Sequence, residues 1–173
     1  MSSRKGDYVF APLAEGGLIL LLAALGWATR WPFVFASLGP TAYEMVEQPQ
    51  MKSARPYNVI AGHLTGLALG WLALWATHAW GSPKVTAVDA VPMPRMWAAL
   101  LSVVLTTLVT LLLSASQPAS LATTLLVSLG IMQTGRDAAA IVISVLILAA
   151  AGEPIRRRRL NAARKHELAT SKP

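Results

Sequence analysis

The chain has 173 residues, of which 54% are hydrophobic and only 13% are charged. So much apolar surface with so little charge to solvate it excludes an ordinary soluble domain and predicts a polytopic membrane protein built as one compact domain. The absence of cysteine excludes a disulfide framework and a thiolate metal site, and we expect neither a metal nor another cofactor.

The net charge of +7 is concentrated near the C-terminus, in four consecutive arginines at 156–159 followed by Arg164 and Lys165. This basic cluster comes directly after an apolar run, a position typical of a cytoplasmic segment that contacts anionic lipid. A nucleic-acid partner is therefore not expected. We predict a basic cytoplasmic tail over residues 153–173.

A polar N-terminal segment, residues 1–12, precedes the first predicted span at 13–29. No small-residue cleavage pattern stands before Arg30, so a retained anchor is preferred over a signal peptide. The clearest span is 58–80, whose 23 residues exceed the roughly 20 needed to cross a bilayer. Two further spans are predicted at 97–113 and 138–152, the latter ending one transmembrane domain over residues 13–152.

Two shorter apolar pieces, 33–47 and 119–133, are interrupted by Gly39-Pro40 and Pro118. Both chain ends are basic, so both are expected in the cytoplasm, which requires an even number of crossings. Four spans plus two re-entrant half-helices satisfy this condition and are preferred, because 33–47 is short. Six crossings satisfy it as well. Either alternative is an all-α membrane fold.

The sequence indicates an internal duplication, with one half at 13–80, a linker at 81–96 and a second half at 97–152. An offset of 81 positions pairs Arg55 with Arg136 and His63 with Ser144. Four crossings would make the two halves parallel, and six would make them inverted. Interrupted apolar segments at matching positions of two halves indicate a transporter binding site.

The two interruptions supply small polar groups at the start of short helices. A helix N-terminus inside the membrane presents unpaired N–H groups and a positive dipole end, which favour an anion. The alternative is a pair of ordinary proline kinks whose hydroxyls bond back to the helix. The predicted lining of an anion site is Ser37, Gly39, Thr41, Gln117, Ser120 and Thr123.

Four further side chains complete the predicted substrate site. Arg55 and Arg136 would add charge near one mouth, although arginines at span starts also extend to lipid headgroups. His63 would donate to an anion or relay a proton, or else form a structural hydrogen bond to a neighbouring helix. Asn58 suits either role. No Ser/His/Asp spacing, paired histidines or phosphate loop indicates an enzyme.

Gly62, Gly66 and Gly70 follow one another at intervals of four residues. This spacing permits close approach of a second helix, either within the subunit or in a homo-oligomer.

The segments FASLGPTA, ARPYNVIAGH and SQPASLATTLL resemble the HPP family of small integral membrane proteins. The resemblance covers about residues 31–152. The His-Pro-Pro motif of the family falls at Gln117-Pro118-Ala119, where only Pro118 is retained, as in a divergent member. The resemblance implies four spans and transport, and it links some members to nitrite. We therefore expect a small-oxyanion transporter in a bacterial inner membrane, or alternatively a scaffold subunit that binds partners or anionic lipid.

Overall fold

The computed structural model describes residues 4–85 and 90–170, apart from the side chains of 4–7, 166–167 and 169–170. Parts of the predicted terminal segments and linker (1–3, 86–89 and 171–173) lie outside the described residues. Within the described residues the chain forms helices and no strand, so the predicted all-α class is confirmed. The helices are α1 Arg4–Thr29, α2 Leu38–Glu47, α3 Pro56–Ala76, α4 Met93–Leu112, α5 Ala119–Ser128 and α6 Gly135–Thr170.

Four helices are long and apolar enough to cross a membrane, over Tyr8–Thr29, Pro56–Ala76, Met93–Leu112 and Gly135–Lys165. Their outer surfaces carry large exposed apolar side chains such as Trp27 and Leu112, as expected for helices that face lipid. The chain is therefore an integral membrane protein. Helix α6 continues well beyond the predicted span, since the arginines, alanines and leucines of its tail are good helix formers.

The two interrupted pieces form the short helices α2 and α5, of ten residues each. Ten residues rise about 15 Å, half of the roughly 30 Å of hydrocarbon in a bilayer. Each short helix is preceded by a non-helical segment, residues 30–37 before α2 and 113–118 before α5.

One end of the bundle, here called the tail end, is where α1 begins and the basic tail emerges. Arg158 lies 5.9 Å from the ring of Phe10 near the start of α1. Arg156 donates to the carbonyl of Pro49, just after α2, over 2.9 Å. Helix α2 therefore ends at the tail end, and α3 begins there.

The opposite end, here called the far end, is where α1 ends and α6 begins. Arg136, the second residue of α6, donates to the carbonyl of Arg30. Arg95, near the start of α4, donates to the carbonyl of Ser82 over 2.8 Å and to the Gln133 amide oxygen over 3.0 Å. The α3–α4 connection and the end of the α5 segment therefore lie at the far end.

These contacts decide between the two alternatives for the short pieces. Residues 30–47 run from the far end to the tail end, and residues 113–130 run back from the tail end to the far end. Each short segment thus runs from one end of the bundle to the other, half as irregular chain and half as helix, and does not return to the end from which it came. The chain therefore passes six times between the two ends of the bundle, and its two halves are inverted.

Contacts between helices follow the same symmetry. Helix α3 packs on α4 and α5, α6 packs on α1 and α2, and α3 and α6 pack on each other. Exchanging the first three helices with the last three leaves this pattern unchanged, as expected for an internal duplication.

The three glycines of α3 face α5 and the residues that lead into it. A Cβ added at Gly66 would lie 2.6 Å from the carbonyl oxygen of Ser120. Cβ atoms at Gly62 and Gly70 would each lie 2.8 Å from a side-chain carbon of residues 117–127. The glycine face is therefore filled within the subunit. Of the two alternatives that the spacing left open, packing within the subunit is the one that these contacts show.

The six-pass path predicts the sidedness of the connecting segments. In this cysteine-free chain, Met51→Cys is expected to react with a membrane-impermeant thiol reagent from the same side as Ala163→Cys in the tail. Lys84→Cys is expected to react from the opposite side. The four-crossing path requires the reverse for both positions, so labelling of Met51→Cys opposite the tail would refute six passes.

Close approach of α3 to α5 predicts that Gly66 tolerates no side chain. Gly66→Ala is expected to lower the free energy of unfolding by about 1–3 kcal/mol, because the new methyl group meets backbone and overpacks the interface. Gly16→Ala is the matched control, since a Cβ there meets nothing within 4 Å. Equal thermal stabilities of the two variants in detergent would contradict the predicted packing.

Candidate functional site

A closed set of hydrogen bonds joins α2, α3 and α5 around His63. The Nδ1 atom of His63 lies 2.6 Å from the Thr123 hydroxyl, and Nε2 lies 2.9 Å from the Thr41 hydroxyl. The Ser37 hydroxyl lies 2.7 Å from that of Thr123. All four side chains are completely buried. We call Ser37, Thr41, His63 and Thr123 the histidine ring.

The direction of each hydrogen bond in the histidine ring follows from one backbone acceptor. Thr41 donates to the carbonyl of Ser37 over 2.8 Å, which uses its single hydroxyl hydrogen. Nε2 of His63 must then carry the proton and donate to Thr41. In a neutral imidazole Nδ1 is the acceptor, so Thr123 donates to it and Ser37 donates to Thr123. All four hydrogens are consumed within the histidine ring.

Three backbone carbonyls of the irregular segments ahead of α2 and α5 accept hydrogen bonds from side chains of α6 and α3. Ser144 donates to the carbonyl of Phe33 over 2.9 Å. Asn58 donates over 3.3 Å to the carbonyls of Ser114 and Ser116. Phe33 and Ser114 are 81 positions apart, the same offset that relates the two halves. Unpaired backbone is costly inside a membrane, so these side chains allow the chain to be irregular there.

The N-terminus of α5 is closed by its own preceding residues. The side-chain oxygen of Gln117 accepts from the N–H of Ala119 over 2.5 Å, and the Ser120 hydroxyl donates to the Gln117 carbonyl over 2.6 Å. Gln117 is 2% exposed, and its Nε2 has no hydrogen-bond partner among the described residues. A buried amide donor without an acceptor is unusual and marks a position where a ligand or water would be stabilised.

Of the ten predicted site residues, the structure brings seven into the buried interior near the two breaks and leaves three outside. Gly39 is exposed, so it does not line the interior. Arg55 is exposed at the tail end, whereas Arg136 is exposed at the far end, 5.4 Å from the ring of Trp31. The expectation that the two arginines share one mouth is wrong, because inversion of the halves carries equivalent residues to opposite ends.

A row of buried hydroxyls on α4 was not among the predicted site residues. Ser102, Thr106 and Thr110 recur every four residues and face the interior, and Thr106 donates to Thr124 of α5 over 3.2 Å. Their spacing, one face of a helix, was the signal in the sequence. Together with the hydroxyls of α5 they form a polar seam between the two helices.

Arg95 was missed as well, although a charged residue in the first turn of a span is a recognisable signal. Its side chain is completely buried at the far end and also donates to the carbonyls of Ser128 and Pro83. Gly130, with φ of +83°, lies directly against the guanidinium group, where any side chain would collide with it. Arg95 thus ties the end of α5 to the α3–α4 connection.

A metal site is not formed by the part of the chain that the structure describes, since no three His, Cys, Asp or Glu side chains come together there. The chemistry of the histidine ring is instead that of hydroxyl groups and one imidazole. Such groups bind by hydrogen bonding and can pass a proton along the chain of bonds.

A family model for the transmembrane region of HPP proteins matches residues 4–155, most of the chain. No curated protein and no solved structure gives a significant match.

Removal of the Thr123 hydroxyl is expected to open the histidine ring. Thr123→Val keeps the shape of the side chain but leaves the buried Ser37 and His63 without their shared partner, which costs about 1–3 kcal/mol of stability. Thr107→Val, at an exposed position of α4, is the control and should be nearly neutral. Thermal unfolding in detergent measures both, and an unchanged Tm for Thr123→Val would argue against the hydrogen-bond assignment.

Proposed function

The chain belongs to the HPP family of integral membrane proteins, and from this premise we propose that it transports a small oxyanion, with nitrite as the first candidate. The supporting observation is the histidine ring, which joins the interrupted segments of two inverted halves within the bundle. Buried polar groups in a membrane protein are costly and concentrate along substrate pathways. Inverted repeats with broken helices place substrate sites at the interface between the halves.

An anion would bind by replacing hydrogen bonds that the histidine ring now makes to itself. Separation of Ser37 from Thr123 would free the hydroxyl of Ser37 as a donor, and rotation would redirect that of Thr123. The unpaired Nε2 of Gln117 would supply a further donor from the same break. Hydrogen bonds to a charged acceptor are stronger than those between neutral groups, so the exchange favours an anion.

Access would alternate between the two ends of the bundle. Ser37 belongs to the first half and Thr123 to the second, so their hydrogen bond joins the halves and its rupture would let them separate. The polar seam between α4 and α5 would lead from the histidine ring toward the far end. Arg55 and Arg136, at opposite ends, would each raise the local anion concentration at one mouth.

His63 would couple transport to proton movement. Its two ring nitrogens contact hydroxyls from different halves, so protonation at one nitrogen and release at the other would follow the same opening of the hydrogen bonds. Channel-like passage without a proton is the simpler form of the same proposal, with His63 then serving as a donor only.

The basic tail would lie in the cytoplasm, following the excess of Lys and Arg in cytoplasmic segments, and the six-pass path would place the N-terminus there too. The membrane would be a bacterial inner membrane. The protein would bind and release its substrate without reacting with it, and without nucleic acid as a partner.

A scaffold function is the second candidate, and a specific observation favours it. The histidine ring is fully satisfied by its own groups, as expected for hydrogen bonds that only fix helix packing. In a scaffold, Thr41, His63 and Thr123 would matter for folding alone, and the unpaired amide of Gln117 would have no role.

Anion binding is tested first by thermal unfolding of the detergent-purified protein with nitrite, nitrate, formate, bicarbonate and phosphate at equal ionic strength. An anion at 100 times its Kd should stabilise the folded protein by about 2.7 kcal/mol, because it binds that state selectively. Gln117→Leu is expected to abolish the selective shift, since it removes the free Nε2 donor. It should also lower the basal Tm, because the N–H of Ala119 loses its acceptor, so the shift is measured against the same variant without anion.

Flux into proteoliposomes completes the test. His63→Ala and Gln117→Leu should both reduce uptake of the stabilising anion, while Thr107→Val should leave it unchanged. Gln117→His restores the family residue at this position and should retain binding. Anion flux that stays at wild-type rates in folded His63→Ala and Gln117→Leu would place the pathway away from the histidine ring. No selective shift together with no flux would favour the scaffold.

A further inference from the structure

A crevice of about 790 Å³ opens between α3 and α6 at the tail end, apart from the histidine ring. Its walls are apolar, formed by Pro56, Ile60, Leu146, Ala149 and Ala150. Leu146 is 46% exposed, so the crevice lies on the outer surface that meets lipid. Its volume is within the range of about 300–1,000 Å³ that small-molecule sites occupy.

The end of the crevice nearest the tail is basic. Arg157 lines the crevice and also two smaller cavities farther along α6, which Asn161, Arg164 and Lys165 help to form. Residues 156–165 contain no acidic side chain. An apolar cavity therefore continues directly into a cluster of cations and an amide.

The one acidic residue at the crevice, Glu153, does not cancel this charge. Its carboxylate accepts two hydrogen bonds from Arg156, of 2.6 and 3.1 Å, and one of 2.6 Å from Nε of Arg157. Two arginines on one carboxylate leave a net positive charge. The Arg157 side chain is 74% exposed, and among the described residues no acceptor engages its two terminal amino groups. These groups can form a bidentate contact with a phosphate.

Pro154, inside α6, gives the crevice a polar backbone group as well. Proline has no N–H, so it cannot bond the carbonyl of Ala150, four residues earlier in the helix. Both residues line the crevice. The carbonyl of Ala150 is thus an acceptor without its usual helical partner, in a residue that lines the crevice.

We propose that this crevice binds one anionic phospholipid from the adjacent leaflet. An acyl chain would lie along the apolar walls between α3 and α6, and the phosphate would contact Arg157, with Asn161 and Arg164 beside it. A free phosphate ion would make no use of the apolar walls, and an uncharged hydrocarbon would make no use of the cations. The combination favours a molecule that carries both parts.

Native mass spectrometry of the detergent-purified protein tests the proposal, with phosphatidylglycerol and phosphatidylcholine added in equal amounts. We expect one phosphatidylglycerol to remain bound in preference to phosphatidylcholine. Arg157→Gln should weaken binding of phosphatidylglycerol about fivefold, the effect of one cation near a lipid surface. Ala150→Phe should prevent binding by filling the crevice, and Ala150→Leu, a smaller change, should weaken it.

Lys52→Gln is the control, because it removes one exposed positive charge at the same end of the bundle but lines neither the crevice nor the two smaller cavities. It should leave binding unchanged. Equal losses in Arg157→Gln and Lys52→Gln would overturn the proposal in favour of diffuse attraction to the positive charge of the tail end. Full binding in folded Ala150→Phe, or displacement of the lipid by millimolar inorganic phosphate, would also overturn it.

Discussion

Direct contact between α3 and the α5 segment sets the geometry of the whole interior. The absence of side chains at Gly62, Gly66 and Gly70 lets the two backbones approach until an added Cβ would collide with the facing chain. In a membrane there is no hydrophobic force to press helices together, so close van der Waals contact and interhelical hydrogen bonds must do so. This approach brings His63, beside the first glycine, within hydrogen-bonding distance of Thr123.

The same approach makes irregular backbone tolerable inside the bundle. Residues 30–37 and 113–118 leave carbonyls that a helix would have paired, and lipid offers no donor to replace water. Ser144 and Asn58 pair these carbonyls at equivalent positions of the two halves. Two groups of buried polar side chains thus have distinct roles around the breaks: Ser144 and Asn58 pair the broken backbone, and the histidine ring bonds mainly within itself.

Inversion of the halves explains why several features stand alone where the sequence indicated pairs. Arg55 and Arg136 are equivalent by offset yet lie at opposite ends of the bundle. His63 and Ser144 are equivalent by offset and both connect the two halves, but His63 bonds two side-chain hydroxyls whereas Ser144 bonds a backbone carbonyl. A duplicated chain can thus keep its architecture while only one copy of a position carries the polar chemistry.

The sequence by itself determined the membrane class, the four long spans, the two interruptions and most of the buried polar residues around them. Composition and the length of an apolar run are local properties of the sequence. Polar residues inside such a run stand out, because placing a polar group in lipid is costly. Family membership followed from the residues around the two breaks. Arg95 and the α4 hydroxyls form recognisable patterns in the sequence. The groups to which they donate hydrogen bonds, however, cannot be identified from the sequence.

Only the tertiary structure decided the path of the two short segments, because hydropathy does not reveal whether ten helical residues and an irregular chain turn back or continue across. Contacts such as that of Arg156 with Pro49 join residues 107 positions apart, a separation at which sequence patterns carry no distance. The pairing of His63 with Thr41 and Thr123 has the same origin. It depends on how closely three helices pack. That distance is set where the glycines of α3 contact the α5 segment, and this contact exists only in the folded protein.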